Sequence, residues 1–84
     1  MKFCVITFRS ITPAQRGESV LKQAGMACSV QRTPKWMEEQ GCGYSLRLRV
    51  AQAMQAVQLL RSSEVPFKKV YMQRENGKIE EMQV

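Results

Sequence analysis

The residues best placed by type and spacing to do chemistry are Gly41-Cys42-Gly43, with Arg32, Lys35, Arg47 and Arg49 close by in the chain. Glycine on both sides of a cysteine opens backbone conformations closed to other residues and clears side chains from around the sulfur. Backbone N–H groups in such a turn can converge on an anion, and a thiolate is an anion. Neighbouring cations and N–H groups lower a thiol's pKa and turn it into a nucleophile. If Arg32 and Arg47 stand on adjacent strands, both reach this loop. A second reading stays open at this point: a cysteine between glycines can be a small filler in a tight turn, buried and inert.

The rest of the composition narrows that chemistry. The chain has no histidine, which removes Ser-His and Cys-His nucleophile pairs. Its three cysteines, Cys4, Cys28 and Cys42, are well separated and form no C-x-x-C pair. Neither a zinc site nor a disulfide framework is expected, and no metal or cofactor is assigned. Cys4 and Cys28 fall on the apolar faces of their strands and read as core. Cys28 is the one candidate to resolve an oxidised Cys42 in a redox sensor, which a Cα separation beyond about 7 Å would exclude.

Eighty-four residues make one domain, 1–84, which hides only about 60–65% of its unfolded surface and has no room for a deep cleft. Any reacting group must therefore lie near the surface, and a large substrate would need a partner. No stretch nears the roughly 20 apolar residues of a membrane span. The apolar run Phe3 to Phe8 is too short for a signal peptide, so a cytoplasmic location is expected. Thirteen basic against seven acidic residues give a net charge of +6, which favours acidic partners or simply solubility.

These features need elements to position them. Cys4, Ile6 and Phe8 alternate with Phe3 and Val5, apolar on both faces, as in an interior strand over 2–8. Thr12, Pro13 and Gln15 read as a capping box opening a helix, and Gly25 closes it. Gly17, one turn before the Val20-Leu21-Ala24 stripe, points to a close packing approach. A strand over 27–32 follows, then an irregular loop with a helical turn at 36–40. There Trp36 is either a partner anchor or a lid on the core. Tyr44, Leu46 and Leu48 alternate with Ser45, Arg47 and Arg49 in a third strand. A helix over 51–63 and a strand over 67–73 come next. Asn76-Gly77 is a turn signal, and 75–84 is either an extra edge strand or a frayed tail. The order β-α-β-β-α-β predicts an α+β, ferredoxin-like two-layer sandwich, its antiparallel sheet carrying both helices on one face. Basic sheet faces interleaved with aromatics bind single-stranded RNA. The aromatic of the third strand, Tyr44, alternates away from Arg47 and Arg49, so nucleic acid is not expected.

Taken together, the strand 3–8, the helix ending at Gly25, the strand ending Arg32-Thr33-Pro34 and the run Gly41-Cys42-Gly43-Tyr44-Ser45-Leu46-Arg47 resemble the selenium/sulfur carrier-like family of short proteins. The resemblance covers most of the chain, and the segment around Cys42 is its specific part. It implies that Cys42 accepts sulfur or selenium as a persulfide or selenosulfide, with Arg32, Gly43 and Arg47 at motif positions around it. It also implies a cysteine desulfurase-like donor and a sulfur or selenium acceptor protein. The alternative is a non-catalytic binding module, in which the Gly41-Cys42-Gly43 loop and the arginines hold an anion or a protein partner. Sandwiches of this kind also form homodimers through their sheets.

Overall fold

A computed structural model describes residues 3–32, 43–73 and 79–82. The helical turn expected at 36–40, Trp36, the end of the second strand at Pro34 and the Asn76-Gly77 turn all lie outside the described residues, as do Gly41 and Cys42. Five antiparallel strands, β1 (Phe3–Phe8), β2 (Ser29–Arg32), β3 (Tyr44–Arg49), β4 (Val70–Gln73) and β5 (Ile79–Met82), form one open sheet in the order β2-β3-β1-β4-β5. Helices α1 (Ile11–Gln23) and α2 (Ala53–Ser62) complete an α+β fold, with a single 3₁₀ turn over Val50–Gln52 leading into α2. The tail therefore contributes an edge strand, with Ile79 set against Gln73 and Met82 against Val70.

β1 lies inside the sheet between β3 and β4, which is why both of its faces are apolar. Cys4, Ile6 and Phe8 point to the side where the helices pack. With Leu46, Leu48, Val70, Ala14, Leu21, Ala53, Ala56, Val57 and Leu60 they form one buried cluster. Gly17 makes that packing possible. A Cβ at this position would stand 3.2 Å from Leu46, Leu60 and Phe8 alike, so α1 approaches sheet and neighbouring helix more closely than a side chain there fits without its neighbours giving way.

The helix starts differ from the sequence expectation. α1 begins at Ile11 with Ser10 as its N-cap, and no side-chain capping bond forms. Thr12 and Pro13 thus lie inside the first turn. Proline is tolerated there because the first backbone N–H groups of a helix have no intrahelical partner to lose. The two helix ends share one device. After α1, Met26 N–H donates to Leu21 O at 2.9 Å and Gly25 N–H to Lys22 O at 3.0 Å, with Gly25 at φ +83. After α2, Val65 N–H donates to Leu60 O at 2.9 Å and Glu64 N–H to Arg61 O at 3.1 Å, with Glu64 at φ 57. Both are Schellman closures. The second places a side chain in the left-handed region that glycine enters without penalty.

Candidate functional site

The end of the sheet at which β3 begins is built from β3, β1 and β2. Tyr44 is paired with Phe8 on one side and Arg32 on the other. Gly43, the residue bonded to Cys42, is buried just before it. Arg32 is exposed. Thr7, next to Phe8, joins this end to the chain before β4. Its carbonyl accepts from Lys68 N–H at 2.7 Å, and its hydroxyl from Lys69 N–H at 3.0 Å. Ser45 is fully buried, and its Oγ has no hydrogen-bond partner among the described residues.

Of the residues expected at the site, this end holds Arg32 and Gly43, whereas Arg47 stands apart. Arg47 is paired with Ser29, three positions further along β3 than Tyr44. That is about 10 Å along the strand and on the opposite face. Its Cζ lies 3.8 Å from the centroid of the Phe3 ring. The sequence put both arginines on neighbouring strands, but only pairing register tells which positions share a face.

Sequence reasoning missed a cavity at this same end. Arg9, Ser10, Pro13, Pro66, Phe67 and Lys68 line about 560 Å³ at the N-terminus of α1. The first turn of α1 carries no acidic residue, so the positive end of the helix dipole is not offset there. The signal in the sequence was Arg9-Ser10 between strand and helix. What hid it was the partner segment, more than fifty residues away.

The two described thiols are kept protonated. Cys4 is fully buried in the central strand, and loss of hydration pushes its pKa up to about 11. Cys28 is half-buried against the core, and its S–H donates to Glu18 O at 3.9 Å. Burial raises its pKa and the Glu18 carboxylate raises it further, with Lys22 opposing. Glu18 itself accepts from Val30 N–H at 3.3 Å and pairs with Lys22 at 3.7 Å.

Cys4 makes stability depend on alkaline pH. The core accepts only the neutral thiol, so the folded pKa lies above the ordinary value of 9.0. Stability from this source is complete below pH 9 and is lost as pH rises through 11, by about 2–3 kcal/mol. Urea unfolding of the parent should therefore weaken over that interval more than that of Cys4→Ala. Parallel pH profiles for the two would show that Cys4 is not the group.

The family described as "Putative Se/S carrier protein-like" matches residues 3–72. That span includes β1 to β3, both helices, all of β4 but its last residue, and the segment around Cys42, and the chain belongs to this family. No curated protein matches the chain. Among the described residues, no helix is long and apolar enough to cross a membrane.

Proposed function

We propose that the chain carries sulfur or selenium on Cys42, between a cysteine desulfurase-like donor and an acceptor protein. The observation that carries this reading is the family match over 3–72, which includes Gly41-Cys42-Gly43. In the loading step the Cys42 thiolate attacks the outer sulfur of the donor's persulfide. A new S–S bond forms, the old one breaks, and the donor cysteine leaves as a thiolate. Delivery repeats the exchange, with an acceptor thiolate attacking and Cys42 leaving. No oxidant, metal or cofactor is consumed, because each step only moves a sulfane sulfur between thiolates.

Electrostatics supports the assignment of this cysteine over the others. Its bond to Gly43 ties Cys42 to the sheet end that carries Arg32 and the exposed Arg9, next to the positive end of α1. Arg32, Gly41 and Gly43 act on this reading as activating and clearing residues, and Arg47 contributes from the other face at longer range. The ferredoxin-like sandwich belongs to the same proposal. The sheet order, with β1 and β3 central among the first four strands, and the βαββαβ element order both favour it. A cytoplasmic setting is proposed with it, since a persulfide carrier needs reduced thiols.

A second reading, an anion-binding module, is favoured by the cavity lined by Arg9 and Lys68 at the same end. In that case Cys42 is incidental.

Thiol labelling tests the carrier reading. At neutral pH Cys42 should react with a maleimide at least about tenfold faster than Cys28, since an ordinary thiol is only a few per cent ionised there. Cys4 should react last, at the rate of unfolding. A folded protein whose Cys42 resists the reagent would end the proposal.

A further inference from the structure

The sheet face turned away from the helices has a composition that the sequence hid. The register sets Arg49 beside Phe3 and Arg47 beside Val5, and sets Val5 beside Tyr71 on the far side. Directly opposed residues of an antiparallel pair point to the same face. Phe3, Tyr71, Arg47 and Arg49 therefore share one surface, and the expectation that aromatics are absent from the arginine face is corrected. The aromatics come from β1 and β4, while the arginines come from β3.

Five further observations bear on what this face does. Val5 is buried yet stands outside the cluster that holds both helices, and Thr7 and Ser45 on the same face are buried too, so the exposed part of this face is its Phe3–Arg49 end. Arg47 and Arg49 are exposed, and Phe3 and Tyr71 are half-buried. An open groove of about 350 Å³ is lined by residues of β1, β3 and the start of β2, Phe3, Cys28, Ser29, Arg47 and Arg49 among them. Arg47, exposed to solvent, is stacked at 3.8 Å on Phe3, so its guanidinium offers a second plane to a stacking partner. The one described carboxylate on this face, Glu81, sits opposite Tyr71 at the β5 edge and pairs with Lys69 at 3.3 Å. The arginine end thus keeps its positive charge.

We propose that the face carrying Phe3, Arg47, Arg49 and Tyr71 binds a single-stranded nucleic acid. A base stacks on the Arg47 guanidinium above Phe3, a second platform is offered by the Tyr71 ring, and Arg47 and Arg49, about 7 Å apart along β3, hold the phosphates. Unpaired bases stack on aromatic rings and guanidinium planes in this way, and an open sheet is a common support for them. A duplex hides those base faces, so single strands are selected. Nothing in this inference depends on Cys42.

Fluorescence anisotropy of the full chain with a labelled oligouridylate of about ten nucleotides tests it. Binding is expected to weaken with salt. Arg47→Gln should weaken it about tenfold, the loss of one stacked base and one phosphate contact. Arg47→Lys, which keeps the charge but not the plane, should recover only part of that loss. Arg16→Gln removes the same charge from the exposed outer side of α1 and should leave binding within about twofold. Cys42→Ser should bind as the parent does. Four results would overturn the proposal: no binding at low salt, equal affinity for a duplex of the same length, equal losses for Arg16→Gln and Arg47→Gln, or loss of binding in Cys42→Ser.

Discussion

Cys42→Ser is expected to abolish sulfur loading altogether. The parent chain, incubated with a desulfurase and cysteine, should gain the mass of one sulfur at the Cys42 peptide. The serine variant should gain none there, because an alcohol at neutral pH is neither ionised nor able to form a persulfide. Cys4→Ala and Cys28→Ala should load like the parent, since burial holds one thiol neutral to about pH 11 and burial with Glu18 opposes ionisation of the other. Arg32→Gln should slow loading by about threefold, the effect of half a pKa unit on the thiolate fraction. Arg47→Gln should slow it less, because Arg47 lies on the opposite face, over Phe3. Loading of Cys42→Ser at the parent's level, or at Cys28 in the parent, would remove the carrier assignment. Retention of anion binding by Cys42→Ser together with absence of loading in the parent would favour the anion module.

Phe8→Ala should be the most damaging change in the core. Among the described residues Phe8 is the largest fully buried side chain, and it lies where β1, β3 and α1 meet. Truncating a buried phenylalanine costs about 4 kcal/mol. Domains of this size have only about 5–10 kcal/mol in total, so the melting temperature should fall by about 20 °C. Phe8→Leu supplies a milder probe that keeps the protein folded, with a loss of about 1 kcal/mol. Gly17→Ala should also destabilise by about 1 kcal/mol. Its methyl meets Phe8, Leu46 and Leu60 at 3.2 Å, and the strain outweighs the gain in helix propensity. The two changes should be coupled. With Phe8→Leu in place the ring atom nearest to residue 17 is gone while Leu46 and Leu60 remain, so Gly17→Ala should cost about 0.5 kcal/mol less. Strictly additive losses in urea unfolding would show that residues 8 and 17 do not constrain each other.

Several elements were readable because their cause is local. The alternation of Cys4, Ile6 and Phe8 with Phe3 and Val5 marked an interior strand, since covalent geometry sends successive side chains to opposite faces. Gly25 marked the end of α1 because its φ of +83 is one that glycine reaches without a steric clash. Gly17 signalled close packing because a glycine within a helix costs free energy that only a contact can offset. The segment around Cys42 marked the family, because its residue types and spacing are themselves the signal.

Tertiary structure decided what depends on distant neighbours. Glu64 ends α2 by the same bonds that Gly25 makes, yet no local feature marks it. Its left-handed backbone is held by Val65 inserting into the core. Ser10 instead of Thr12 starts α1, because the helix begins where β1 releases the chain. Arg32 and Arg47 were separated, and Phe3 and Tyr71 were brought to the arginine face, by the pairing register alone. A strand's own sequence states which of its residues share a face. It does not state which residues of another strand will lie beside them, because that choice is made by the packed core and not by the local chain.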